Sequence, residues 1–341
     1  MNTQQLRDII ASLPAGRHGA KIFPTEVLEW IESQNLWNIW VPEAFGGLEC
    51  SFTEGLQQLQ KLAKIDGTLG WTVTLCSGAN FFIGNLTPET AEKMFQKGRQ
   101  TILGGSGGLF GTAEITEKGY ILNGTWKYAT GANYLTHFTL NAQITENAEK
   151  LTNPDGSPKF LSFVIPAENV EIIEDWDTIG MQASVTHSFK IENVEVNEDL
   201  SFVYNEFHLP QDIFKIHFSL FADLTLWVNY LGMAQHFVEE AEQIGKTDEA
   251  TDLKDFCAKT ERDVFGLAKK IESQVSVNPE FTEDFIKEVH QLASVNVKEM
   301  SQKIIELYPL LGVKASTNGE QLNVIFRDYF TATQHHIFSR K

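Results

Sequence analysis

The sequence predicts an α+β chain in three parts, helical, then β, then helical. Three observations carry this. Apolar residues recur at three- and four-residue steps through the first hundred positions. The period changes to two over the next hundred, with Gly, Asn and Asp turns between short β-branched and aromatic runs. From about residue 210 the helical period returns in four long segments. At 341 residues the chain exceeds the usual size of one core, about 100–200 residues, so packed units at 1–100, 101–208 and 209–341 are expected.

In the first unit, Leu6, Ile9, Ile10 and Leu13 share one helical face, Val27, Leu28 and Ile31 a second, and Leu56, Leu59, Leu62 and Ala63 a third. Pro42 with Gly46 and Gly47 separates the second helix from the third, and Asp66-Gly67 separates the third from a helix over 71–82. Thr87 before Pro88 reads as an N-cap with proline at the first helical position. In the second unit, strands are expected over 120–122, 138–144, 160–165 and 188–196, with 147–159 a polar hairpin loop, together forming a small antiparallel barrel or sandwich. The last unit holds helices over 212–244, 252–275, 283–311 and 319–339, enough for a four-helix bundle.

Charge narrows the function. Lys+Arg of 27 against Asp+Glu of 45 gives 27 − 45 = −18, a surface that repels phosphate backbones and anionic lipid, so neither nucleic acid nor membrane is an expected partner. Cys50, Cys76 and Cys257 are odd in number and widely spaced, which points to apolar fillers rather than a disulfide framework or a zinc site. No signal-like or membrane-spanning run is present, and a cytoplasmic protein is expected. No His-Glu-x-x-His occurs, and no metal site is expected.

Three runs carry candidate chemistry. In 104–111, Gly105, Ser106, Gly107 and Gly111 lie on a glycine-rich stretch that a hairpin follows at Gly119-Tyr120, where a dinucleotide fold needs a helix. It reads as a flexible loop whose bare backbone can approach a ligand. In 126–131, alternation places Trp126, Tyr128 and Thr130 on one face, two rings and a hydroxyl suited to a planar cofactor, with Ala129 and Gly131 offering backbone groups beside them. In 325–336, His335 follows Arg327 by eight residues, which on a helix directs both to related sides. Asp328 reads as a structural ion-pair partner of Arg327, while adjacent His335 and His336 point to different faces.

Together with VPEAFGG at 41–47, Asp66-Gly67 leading to Trp71, and Asp177 through Met181, these runs resemble, in their order, the acyl-CoA dehydrogenase superfamily, and within it the branch of two-component (group D) flavin-dependent monooxygenases. The resemblance spans from about Arg17 to His336 and implies that fold, with FAD or FMN taken up as a reduced co-substrate, a separate flavin reductase and a homotetramer. It places Thr130 at the flavin N5, the 105–108 loop near the pyrimidine or phosphates, and His335 near C4a and N5 as a proton donor or acceptor. Arg327 is placed among the cofactor contacts, and Asn80 and Phe81 in the substrate pocket. The chain departs from the branch at Ala79, where a His is usual, and at Gln182, where an Arg is usual. An acyl-CoA dehydrogenase-like enzyme with bound FAD, or a non-catalytic member of the fold, are the alternatives; no Glu follows Arg327 to abstract an α-proton from a thioester.

Overall fold

The computed structural model describes residue 8, residues 22–96, residue 98 and residues 100–339. The helix expected on Leu6, Ile9, Ile10 and Leu13 lies outside the described residues, as does Arg17. The helical, β, helical order is as the periodicities predicted. Helices α1 (Thr25–Ser33), α2 (Phe52–Ile65), α3 (Gly67–Asn80) and α4 (Pro88–Met94) come first. Local chemistry sets their starts. Ser51 and Glu54 close a reciprocal capping box on α2, Asp66 accepts from the Leu69 N–H at the head of α3, and Thr87 accepts from the Thr90 N–H ahead of Pro88.

Eight strands follow: β1 (Leu103–Thr116), β2 (Gly119–Ala129), β3 (His137–Glu146), β4 (Glu149–Lys150), β5 (Phe160–Pro166), β6 (Glu171–Ile173), β7 (His187–Asn197) and β8 (Ser201–Phe202). They form one sheet in the order β6-β7-β2-β1-β3-β5-β8, with β4 paired to β3. The sheet is mixed, not antiparallel throughout, because β1 and β3 run parallel. The cause is a crossover. β1 and β2 pair as a hairpin, and the chain then passes over the end of β1 to enter β3 on its far edge. The glycine-rich run is part of β1, irregular in register between Ser106 and Gly111, and not a free loop.

The C-terminal helices are α5 (Phe218–Gln243), α6 (Thr247–Val275), α7 (Glu283–Leu307) and α8 (Gln321–Ala332), then the short α9 (His336–Ser339). None of the described helices is long and apolar enough to cross a membrane. One apolar cluster runs without a break from Phe23 through the sheet to Ala332. Within it α2, α3 and α5 meet on small residues. A Cβ on Gly70 lies 2.4 Å from the Ala63 Cα, and one on Gly232 lies 2.5 Å from the Gln60 carbonyl oxygen. Both obstacles are backbone and cannot rotate away. Gly232→Ala is therefore expected to destabilise the protein by about 1–3 kcal/mol, the usual cost of overpacking, despite alanine's better helix propensity. Denaturant unfolding checks this, and an unchanged or raised midpoint would show that the helices part freely here.

Candidate functional site

The crossover that makes the sheet mixed also builds the site. Leaving β2, the chain turns at Gly131, whose φ of +79° suits glycine, and a Cβ there would lie 2.8 Å from the Cys76 Sγ. The loop lies against β1: a Cβ on Gly104 would meet Leu135 at 2.7 Å and the Thr130 carbonyl at 3.1 Å. The segment between β6 and β7 zips onto the same loop. Gly131 N–H donates to the Ser184 carbonyl (2.7 Å), Ala132 N–H to that of Val185 (3.3 Å) and the Tyr134 hydroxyl to that of Ala183 (2.8 Å). Behind it, the Cys76 thiol donates to the Thr130 carbonyl at 3.7 Å, and burial holds that thiol protonated by pushing its pKa up.

Side chains continue the zip. Thr130 Oγ1 is 3.2 Å from Thr186 Oγ1, which is 2.7 Å from Ser184 Oγ, which in turn donates to the Met181 carbonyl at 2.7 Å. All three hydroxyl residues are buried. Met181 (φ +57°) and Val185 (φ +40°) are both left-handed, a conformation that costs a β-branched residue of order 1–3 kcal/mol and persists only where neighbours over-determine it. One of those neighbours is Asp328, in the middle of α8. Its carboxylate accepts from the Met181 N–H (2.6 Å) and from the Thr68 hydroxyl (3.0 Å). So Asp328 joins α8 to α3 and to the strained loop, instead of serving as an ion-pair partner at a helix start. Burial, reinforced by the charge of Asp66, pushes its pKa up to about 7, against the pull of its two donors and Arg327.

Several sequence-predicted residues lie elsewhere than expected. Trp126, Tyr128 and Thr130 do not share a face, because the β2–β7 register slips between Trp126 and Ala129 and Tyr128 adopts φ +69°. Trp126 is fully buried, stacked on Phe189, with Nε1–H donating to the Asn141 carbonyl. Tyr128 is 64% exposed, edge-on to Trp176. Ala129 and Thr130 are buried beside it, Ala129 in register with His187. Gly105 and Ser106 are partly exposed on β1, and Gly107 opens to free space where a Cβ would be. Asn80 is a core pin: its amide donates to the Trp37 and Thr101 carbonyls and to Asn38, and accepts from the Leu103 N–H. Phe81 is fully buried, stacked on Phe221 at 4.2 Å among other phenylalanines.

At the C-terminus, α8 stops at Ala332, so His335 stands in a turn and shares no helical face with Arg327. His335 packs edge-on against Trp71 of α3 at 5.5 Å. It stacks on His336 at 4.7 Å, so the two rings lie together and not on different faces. Arg327 donates through Nη1 to the Ile179 carbonyl at 2.8 Å, and its Nε–H is buried with no hydrogen-bond partner among the described residues. Among those residues no His, Cys, Asp or Glu group is placed to hold a metal ion. Serines and threonines at 184 and 186, Cys76 and the bridging role of Asp328 were not identified from sequence, since isolated hydroxyls have no period or spacing to mark them.

A planar group with polar edges suits the exposed apolar area at Tyr128, edge-on to Trp176, and at Ile179 (65% exposed), the open backbone at Gly107, and the buried Arg327 Nε–H that has no hydrogen-bond partner among the described residues.

The buried Asp328 makes a testable signature. Its folded carboxyl keeps a proton to higher pH than in the unfolded chain, so the stability it contributes is full below about 3.8 and is lost as pH rises through about 7. Asp328→Asn keeps an acceptor for Met181 but cannot titrate. Stability measured by denaturant unfolding should therefore fall less steeply across that window in the variant than in the native chain. Equal slopes would mean that Asp328 titrates normally.

No family model matches the chain. Among curated proteins, it is 28% identical over 222 residues to indole-3-acetate monooxygenase of Acinetobacter baumannii, covering 64% of this chain and 55% of that protein. It is 21% identical over 174 residues to the oxygenase subunit HsaA of a Mycobacterium tuberculosis flavin-dependent monooxygenase, covering 51% and 42%. The chain thus spans about half the length of the curated relatives it matches. Structural likeness extends further. The HsaA monooxygenase from M. tuberculosis superposes with a TM-score of 0.86 at 16% identity over 99% of this chain and 96% of that one. XiaF from Streptomyces sp., solved with FADH2 and glycerol, does so at 0.87 and 18% identity over 98% and 90%. Several of the relatives are named as oxygenase subunits or components of monooxygenases and hydroxylases, among them flavin-dependent ones, and this chain shares the fold of the solved monooxygenases.

Proposed function

We propose that this chain is a reduced-flavin-dependent monooxygenase of an aromatic or other small organic substrate, receiving FAD or FMN in reduced form from a separate flavin reductase. The single observation that carries the reading is the buried Thr130, its carbonyl backed by Cys76 of α3 and its hydroxyl 3.2 Å from Thr186, two residues along the chain from the exposed Tyr128 that meets Trp176. The relatives support it. One acts on indole-3-acetate, and others are named as hydroxylases of resorcinol and p-hydroxyphenylacetate.

When bound, reduced flavin supplies the two electrons that activate dioxygen. The protein's part is to hold and orient. Thr130 would hold the N5 edge, the backbone of Gly105, Ser106 and Gly107 would approach the pyrimidine or phosphates, and Tyr128 with Trp176 would offer an aromatic face. Ala129 would offer a backbone group beside Thr130, while Gly131 serves through its turn, its N–H being committed to the Ser184 carbonyl and its carbonyl to the Tyr134 N–H. Arg327, anchored to the Ile179 carbonyl and with its Nε–H unpartnered among the described residues, would supply the positive charge, since Gln182 carries none and donates to the Thr178 carbonyl. His335, packed edge-on against Trp71, would be the proton donor or acceptor. A cytoplasmic setting and a homotetramer packed through the C-terminal helices complete the reading; Leu292 and Val295 of α7 leave apolar surface for such packing.

Ala79 and the structural commitment of Asn80 favour a second reading, a non-catalytic member that keeps the fold to bind a ligand. Oxygen uptake with reductase-supplied flavin and an aromatic panel separates the two. Uptake coupled to a hydroxylated product supports the enzyme, and its absence across the panel leaves the second reading. In the enzyme, Thr130→Val should weaken reduced-flavin binding about tenfold, one hydrogen bond's worth. His335→Gln should leave that binding intact while slowing product formation about 100-fold or more. A His335→Gln variant with native turnover would remove His335 from the mechanism.

A further inference from the structure

We propose that Thr130, Thr186, Ser184 and the Met181 carbonyl form a one-way string of hydrogen bonds that leaves Thr130 Oγ1 able only to accept, and so selects the reduced, N5-protonated flavin over the oxidised form. The inference rests on the flavin reading above and assigns to Thr186 and Ser184 a positioning role that sets the redox preference of the site.

The direction follows from counting protons. A hydroxyl carries one proton and two lone pairs, and a carbonyl oxygen carries lone pairs only. Ser184 Oγ is 2.7 Å from the Met181 carbonyl oxygen, a separation at which two unprotonated oxygens would repel, so the serine proton lies between them. That proton is the only one Ser184 has. Thr186 Oγ1, 2.7 Å from the same oxygen, must therefore be the donor of that contact. Thr186 then has no proton left for Thr130, 3.2 Å away, and Thr130 must donate to it. Each step is forced by the one before, and the first is anchored on a group that cannot donate.

Burial keeps the direction fixed. Ser184 is fully buried, and Thr186 and Thr130 are 6% and 5% exposed, so water does not compete to turn the hydroxyls round. The anchor is itself held. The Met181 carbonyl also accepts from Trp176 Nε1 (2.9 Å) and the Ser184 N–H (3.1 Å), while the Met181 N–H is fastened to Asp328 at 2.6 Å. What remains on Thr130 Oγ1 is its two lone pairs and no proton. Oxidised flavin has an unprotonated N5, an acceptor, which against these lone pairs makes no hydrogen bond. Reduced flavin has an N5–H, a donor, which does. The preference needs no positive charge and no movement of the chain.

The experiment is anaerobic calorimetric titration of the full chain with oxidised and reduced FMN and FAD. The native chain is expected to bind the reduced form at least about tenfold more tightly. In Thr186→Val the string is cut, the Thr130 hydroxyl is free to donate outward, and the ratio of the two affinities should fall about tenfold toward one. Thr186→Ser should keep the native ratio. Ser184→Ala, which frees the Thr186 proton to reverse the string, should lower the ratio as well and carries the test should the valine variant fail to fold. A merely structural role predicts that Thr186→Val weakens both forms equally, and that result overturns the inference, as does a native ratio near one. Should the native chain bind neither form, the flavin reading itself falls. Should it bind both with a ratio that no variant changes, the flavin reading stands and only the string is refuted.

Discussion

Everything at the site depends on α3 being buried on all sides. Twelve of its fourteen residues are buried, so the helix has no solvent face and its orientation is fixed by packing all round. Each turn then holds a different part of the site. Thr68 meets Asp328 on α8, Trp71 meets His335, Cys76 supports the Thr130 carbonyl, and Asn80 holds the start of β1 through the Leu103 N–H. The close contacts of Gly70 with Ala63, and of Gly232 with the turn of α2 beside it, lock this helix against its neighbours. A helix with one free face would not tie four separate segments to one frame.

Around that frame the protein stores strain and offsets it. Met181 and Val185 sit in a backbone region costly for them, and the segment is kept there by hydrogen bonds at almost every residue from Met181 to His187. The central member is the buried carboxylate of Asp328. Placing it out of water beside Asp66 raises its pKa, which is unfavourable, yet the bond it accepts from Met181 orients the peptide that begins the hydroxyl string. Stability lost at one residue fixes the geometry of another two segments away. The crossover over β1 serves the same end. It makes one strand pair parallel, and in doing so it brings the Thr130 loop over the glycines of β1 and under the 181–187 segment.

Much of this was legible in the sequence. The change of period from helix to strand and back marked the three-part order, Asp66-Gly67 marked the break before α3, and Thr87 ahead of Pro88 read as the N-cap that it is. What was not legible has a common physical reason. Alternation assumes an unbroken pleat, and the slip between Trp126 and Ala129 turned Trp126 into the core and Tyr128 out to solvent. Helical spacing assumes an unbroken helix, and the stop at Ala332 separated His335 from the face of Arg327. Asn80 reads as a polar residue facing a ligand, while its carbonyl and N–H partners come from residues 21 to 43 positions away. The roles of Ser184, Thr186 and Asp328 depend on partners that only the folded chain assembles.

The central claim is that the 129–134 turn, the 181–187 segment and the glycine run of β1 form one site for reduced flavin. Hydrogen–deuterium exchange of the full chain, recorded anaerobically with and without reduced FMN or FAD, tests it most directly. The account requires slower exchange confined to peptides covering residues 104–110, 127–132 and 176–187. Protection elsewhere, or none at any residue while flavin is demonstrably bound, would contradict it.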